Sequence, residues 1–292
     1  MSCPETVARP ENDAMIDAHL HVWDPALLSY DWLKYVPAIS GRMGPAEFAA
    51  TGAQIEGAIF VQADCDPAQA LAEAEWVAGL AFPILGIVAF APLERGDTAH
   101  IAALKNQPKV VGIRRSAQNE PDGFMTSPGY IAGLAAAARA GFSLDMCIRA
   151  RQLPELRQAL EQLFATVPDA RVVIDHLGKP DIKTHGADID ANGWADHITV
   201  LSHMPGVACK LSGLPTEADW ETWTPDQLRP YLDHALTAFG ADRCLFGGDW
   251  PVVELAGGYS RWRSVVADAL AHLPPDAQAQ VWSRTARRLY RV

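Results

Sequence analysis

Eight times along this chain, a short apolar run of strand length gives way to a longer stretch with helical spacing. The runs are Met15–His21, Ala58–Ala63, Ile84–Ala91, Val110–Ser116, Phe142–Ile148, Arg171–Leu177, Val207–Ser212 and Cys244–Asp249. Several are rich in Val, Ile and Phe with little polar alternation, the pattern of parallel strands covered on both faces. Between them the spacing predicts helices at Pro67–Gly79, Thr98–Asn106, Pro128–Ala140, Leu153–Phe164, Ala191–Ser202, Pro225–Phe239 and Ser260–Leu273, and a last one from Pro275 to about Leu289. Asp66, Ser127 and Thr224 each precede a proline, which reads as a capping side chain followed by Pro at the first helical position. Gly79, Gly141 and Gly240 fit helix stops. Eight alternating units predict an α/β fold, a single (β/α)8 barrel of the TIM type, whose usual size is roughly 250 residues. A doubly wound open sheet is the alternative. It would carry a glycine-rich phosphate loop after the first strand, where Ala18-His19-Leu20-His21 stands instead.

No Ser/Gly-rich linker divides the 292 residues, so residues 14–292 are expected to form one barrel domain behind a loose lead of residues 1–13. The Pro-, Gly- and aromatic-rich stretch Asp24–Gly52 suits an elaborated loop over one barrel end. Lys and Arg number 24 against 35 Asp and Glu, a net charge of −11. That balance argues against nucleic acid and anionic membranes, which need clustered cations. The longest apolar runs, such as Pro83–Ala91, fall far short of the roughly 20 residues that span a bilayer. Cys3, Cys65, Cys147, Cys209 and Cys244 form no CxxC pair and read as buried, reduced thiols. With no secretory pattern in the first residues, this points to a cytoplasmic protein. The expected partner is a small molecule, and self-association is left open.

Asp17, His19 and His21 alternate along the first run. Residues two apart in a strand share a face, so all three are expected to point into the barrel near its C-terminal end. Two adjacent imidazoles could ligate one divalent metal, or polarise a carbonyl together. His176 closes the sixth run and Asp249 the eighth. Strand C-termini of such a barrel converge on one cavity, which would gather His19, His21, His176 and Asp249. Chemistry of this kind is hydrolytic: a carboxylate takes a proton from water while nearby positive charge stabilises the oxyanion. A bound metal would supply that charge, and zinc suits His and Asp ligands. Gly247 and Gly248 read either as room for substrate beside Asp249 or as tight packing of the eighth strand.

Ile16-Asp17-Ala18-His19-Leu20-His21-Val22-Trp23-Asp24-Pro25 resembles the opening of the amidohydrolase-related lactonases, a branch of the amidohydrolase superfamily. Further matching blocks are Gly112-Ile113-Arg114, Asp175-His176-Leu177-Gly178-Lys179-Pro180, Cys209-Lys210-Leu211-Ser212-Gly213-Leu214 and Phe246-Gly247-Gly248-Asp249-Trp250-Pro251. Cys209–Trp220 looks most like the L-fuconolactonase and L-rhamnonolactonase members. The resemblance implies a distorted TIM barrel that hydrolyses sugar-acid lactones. It implies His19, His21 and His176 as metal ligands or carbonyl-polarising groups, and Asp249 as general base. The bridging carboxylated lysine and the fifth-strand histidine of many superfamily members have no counterpart in Phe142–Ile148, which argues against two metals. One divalent ion, zinc first, and catalysis without metal both stay open.

For substrate contacts the candidates are Arg114, Lys210, Trp23 and Trp250. Alternation puts Arg114 and Arg115 on opposite faces, and Arg114 is expected to enter the cavity. Lys210 has a second reading as the neutralising partner of a carboxylate such as Asp17. Trp23, Trp32 and Trp250 lie on loops where an indole could cover a sugar ring. His100, His185, His197, His203, His234 and His272 read as solvated. The leading reading is hydrolysis of an L-fucono-, L-rhamnono- or L-galactono-type lactone. Alternatives are a lactonase for a 2-pyrone-4,6-dicarboxylate or muconolactone type of substrate, a metal-dependent decarboxylase, and a non-catalytic sugar-binding barrel.

Overall fold

The eight apolar runs become eight parallel strands in a computed structural model, which describes residues 15–96 and 98–292. The expected lead 1–13, with Cys3, lies outside the described residues. The strands are β1 (Ile16–Leu20), β2 (Gly57–Val61), β3 (Ile84–Ala89), β4 (Val110–Ile113), β5 (Ser143–Met146), β6 (Arg171–Ile174), β7 (Val207–Leu211) and β8 (Cys244–Phe246). Each pairs with the next in sequence. The seam between β8 and β1 is joined at its C-terminal end, where Leu20 and Trp250 form a parallel bridge. There the His21 amide donates to the Trp250 carbonyl, and the Asp249 amide to that of His19, both at 2.8 Å. Barrel closure therefore falls at the histidine motif. Every strand stops short of its apolar run at the C-terminal end, because the residues beyond leave the ladder for the cavity rim.

Helices cover the outside: α1 (Ala70–Ala78), α2 (Thr98–Lys105), α3 (Pro128–Arg139), α4 (Leu153–Thr166), α5 (Trp194–Ser202), α6 (Pro225–Phe239), α7 (Tyr259–Leu270) and α8 (Thr285–Tyr290). Of the three expected caps, Asp66 accepts from the Ala68 amide at 2.8 Å. Ser127 and Thr224 form no side-chain cap; Gln227 instead accepts from the Thr224 amide. The last expected helix is broken by a π-turn over Gln280–Arg284, which separates Pro275–Ala279 from α8.

Two apolar layers follow from strand alternation. Leu20, Phe60, Leu144, Cys209 and Phe246 face the helices. Ile16, Ala18, Ile59, Val61, Val88, Val173, Ala208 and Leu245 fill the barrel axis, where Leu289 and Tyr290 of α8 join them. The four described cysteines are free and buried. Among the described residues, no helix is long and apolar enough to cross a membrane.

Candidate active site

β1 carries the first correction. Asp17 aligns with Ala58 and Leu20 with Phe60, so three steps on β1 match two on β2. Such a bulge reverses which face later residues occupy. Asp17 therefore points out toward α7, where its carboxylate accepts from the Tyr259 hydroxyl at 2.9 Å and the Gly248 amide at 2.8 Å. His19 and His21 point in. Burial pushes the Asp17 carboxyl up to about 6.

At the mouth of the barrel His19, His21, His176 and Asp249 come together. Asp249 Oδ1 lies 3.8 Å from His19 Nε2, 3.6 Å from His21 Nε2 and 3.9 Å from His176 Nε2. The two β1 imidazoles face each other at 3.2 Å between their Nε2 atoms. Outer partners aim each ring. His21 Nδ1 donates to the Val61 carbonyl at 2.7 Å, and His176 Nδ1 pairs with Ser212 Oγ at 2.9 Å. His19 Nδ1 lies between Lys210 Nζ at 3.2 Å and Asp175 Oδ1 at 3.3 Å.

The turns that hold these groups are strained. Asp64, His176, Leu177, Lys179 and Asp249 all have φ between 50° and 55°. L-residues rarely adopt that region, and such strain gathers at functional sites. Gly247 and Gly248 owe their presence to packing, not to room for substrate. A Cβ on Gly247 would meet His19 Cβ at 2.6 Å, and one on Gly248 would meet the Tyr259 ring at 2.1 Å.

Burial sets the charge states. It pushes the His176 imidazole down to about 3. It also lowers His19 well below its ordinary value, reinforced by the Lys210 ammonium. Burial alone would raise the Asp249 carboxyl, but His176, His21 and His19 outweigh it and hold it below the usual carboxylate range. At neutral pH the site thus pairs an ionised carboxylate with neutral His19 and His176 imidazoles.

That donor set fits a divalent cation. His19, His176 and Asp249 each bring a ligand atom within 4.8 Å of the others, with His21 at the edge of the group. With His21 Nδ1 committed to a carbonyl, its Nε2 is the nitrogen that faces His19 and Asp249. The separations of Asp249 Oδ1 from the three imidazoles, 3.6–3.9 Å, are a little wider than the roughly 3.3 Å edge of a tetrahedral site with ~2.0 Å bonds. Carbonyl, hydroxyl and carboxylate partners on the outer nitrogens are the usual support of such ligands.

Above the cluster opens a cavity of about 230 Å³. His21, His176 and Asp249 line its floor, Arg114, Cys147 and Lys179 one wall, and Trp32 and Asp64 another. The chain belongs to the amidohydrolase family. The family model, described as amidohydrolase, matches residues 16–292. An L-fucono-1,5-lactonase of Burkholderia multivorans is 30% identical, covering 94% of this chain and 95% of that one. An L-rhamnono-gamma-lactonase of Scheffersomyces stipitis is 24% identical over 72% of this chain and 69% of its own. A crystal structure of a Burkholderia multivorans amidohydrolase with bound zinc superposes with a TM-score of 0.82 at 29% identity, over 96% and 99% of the two chains.

Within this amidohydrolase, Arg114 turns into the cavity and donates to the Gln62 carbonyl at 2.5 Å. Arg115 turns away to Glu94 and Glu120, as alternation requires. Lys210 is not at the cavity surface. It lies fully buried beneath it, 2.5 Å from Asp145 and 2.9 Å from Asp175, and those two carboxylates, not Asp17, neutralise it. Trp23 and Trp250 are also outside the cavity lining. Trp23 donates to the Ile39 and Gly41 carbonyls behind Trp32, and Trp250 packs edge-on against Phe48. Trp32 supplies the indole wall. His234 is half-buried against Trp194 and bonded to Thr199, not solvated.

Sequence reasoning missed Lys179, Asp64 and Cys147 in the lining, and Ser212, Asp145 and Asp175 around the imidazoles. Lys179 reaches the cavity because the left-handed turn from His176 onward curls the chain back over the barrel mouth, where its ammonium meets Glu217 at 3.4 Å. Period-two alternation carries four others inward: Asp145 on β5 with Cys147 just past its end, and Lys210 on β7 with Ser212 just past its end. A charge inside an apolar strand run needs a buried partner, and that was the available signal.

Proposed function

We propose that this amidohydrolase opens the ring of a sugar-acid lactone, of the L-fucono- or L-rhamnono-lactone class, with water. The observation that carries the reading is one carboxylate, Asp249, ringed by three imidazoles at the floor of a cavity. An ionised Asp249 takes a proton from water at the lactone carbonyl. It can return that proton to the departing ring oxygen. Positive charge from Arg114 and Lys179 on the adjoining wall orients the lactone oxygens. Trp32 offers an apolar face to the ring carbons. A divalent cation held by His19, His176 and Asp249, with His21 beside it, would supply Lewis acidity and a more acidic water. The His and Asp donors suit zinc, the ion in the similar Burkholderia structure.

Two features favour a neutral polyol ring over a dicarboxylate. Arg114 already bonds the Gln62 carbonyl and lies 3.5 Å from Asp175, and Lys179 is paired with Glu217. Asp64 also adds negative charge to the wall. The test is a side-by-side measurement of kcat/KM on L-fucono-1,5-lactone, L-rhamnono-γ-lactone and 2-pyrone-4,6-dicarboxylate. Turnover confined to the sugar lactones is expected, with Asp249→Asn slower by about 10²–10⁴-fold. Preference for the dicarboxylate, or full activity in that variant, would overturn the reading. Treatment with a chelator should lower activity, and zinc should restore it.

A further inference from the structure

His19 is held at one ring nitrogen by two groups of opposite hydrogen-bonding character. Its Nδ1 lies 3.2 Å from Lys210 Nζ and 3.3 Å from Asp175 Oδ1. An ammonium only donates and an ionised carboxylate only accepts, so Nδ1 cannot use both at once. All three side chains are fully buried. Asp175 Oδ1 also lies 2.9 Å from Lys210 Nζ, so the carboxylate, the ammonium and the imidazole form one buried triangle. Lys210 is anchored from below by Asp145 Oδ2, which also accepts from the Tyr290 hydroxyl at 2.7 Å. On the other side of the His19 ring, Nε2 lies 3.2 Å from His21 Nε2.

We propose that Lys210 and Asp175 form a two-way cradle that supports His19 in either neutral tautomer, and that cation binding exchanges one tautomer for the other. The proposal rests on the cation-holding part of the reading above, not on its substrate. Without a cation, His19 Nε2–H donates to His21 Nε2 while Lys210 donates to Nδ1. When a cation takes the Nε2 lone pair, Nδ1–H donates to Asp175 Oδ1, which can accept it beside the Lys210 ammonium. One proton leaves Nε2 for cavity water and one from water arrives on Nδ1. The ring stays neutral, and the exchange releases no net proton. Apolar side chains usually fill this level of a barrel without the desolvation cost of buried ions, but they would support neither tautomer. Lys210 and Asp175 are positioning residues in this account.

Nitrogen-15 NMR of the full chain with labelled histidine tests it, using chelator-treated protein before and after saturation with zinc chloride. His19 is assigned by the signals missing from His19→Gln. The expected result is an Nε2–H form before zinc and an Nδ1–H form after. The same tautomer in both samples, or His19 signals that do not respond to zinc, would overturn the proposal. Asp175→Asn should weaken zinc binding by roughly tenfold or more and leave the zinc-free tautomer as in wild type. Unchanged affinity in that variant would also overturn it. Should Asp175→Asn not fold, the wild-type spectra decide alone. Absence of lactone turnover would remove the substrate assignment and leave this proposal standing.

Discussion

Two levels of one barrel axis differ sharply. Near the N-terminal ends of the strands, the inward positions are Ile16, Ile59, Val88, Val173, Ala208 and Leu245, closed from below by Leu289. One inward step further along, Val173 gives way to Asp175, Ala208 to Lys210 and Ser143 to Asp145. Leu245 is followed by Gly247 and then Asp249. The lower level is almost wholly apolar, whereas the ionisable side chains gather at the upper one, where only Ala18 and Val61 continue the apolar lining of β1 and β2. Burying apolar area stabilises the fold, whereas burying charges costs several kcal/mol per ion before pairing. The upper level is therefore kept for chemistry, and the lower level bears the load of folding. Tyr290 spans the two, with its ring in the apolar layer and its hydroxyl on Asp145.

That division can be broken by substitution. Leu245→Ala should cost about 2–5 kcal/mol of stability by leaving a cavity in the lower level. Its kcat/KM on a sugar lactone should stay within about threefold of wild type, because no reacting group moves. Denaturant unfolding beside steady-state kinetics measures both, and lost activity in a folded Leu245→Ala protein would show that the levels are not separable. Gly247→Ala tests the converse. Its new Cβ would lie 2.6 Å from His19 Cβ, which is anchored to the backbone and cannot swing aside. A displacement of His19 approaching 1 Å should lower kcat/KM by about 10²-fold, or ~2.7 kcal/mol. An active Gly247→Ala enzyme would mean that His19 placement tolerates the shift.

The boundary between the levels also marks what the sequence makes legible. The eight strands can be read because both faces of each are buried, so each is a near-continuous apolar run. His176 and Asp249 can be read because strand ends of such a barrel share one cavity. Asp17 could not be placed, since one extra residue between it and Leu20 reverses its face and nothing in Ile16–Leu20 announces a bulge. The neutralising partners of Lys210 come from β5 and from the residue just after β6, and only the stagger of neighbouring strands decides which carboxylates reach it. Trp23 and Trp250 lie on loops at the cavity end, as expected, but one sits a layer behind Trp32 and the other faces Phe48. Loop position alone does not specify depth.

A buried carboxylate off the barrel axis gives the smallest test. Glu73 on α1 is buried, accepts from the Ala63 amide at 3.2 Å and so props the loop after β2 that carries Asp64. Burial pushes its carboxyl up to about 7, with Asp64 adding to the effect. A folded-state value above the unfolded one means that the native protein binds this proton more tightly. The contribution to stability is full below the unfolded value near 4.5 and is lost as pH rises through about 7. Glu73→Gln keeps an oxygen for the Ala63 amide and removes the charge. It should match wild type near pH 5 and exceed its stability by about 1–3 kcal/mol at pH 8. Unfolding curves at the two pH values measure the difference. If the glutamine variant is less stable at pH 8, the ionised Glu73 is a required part of the cavity wall, and the separation between structural and chemical charge fails at this position.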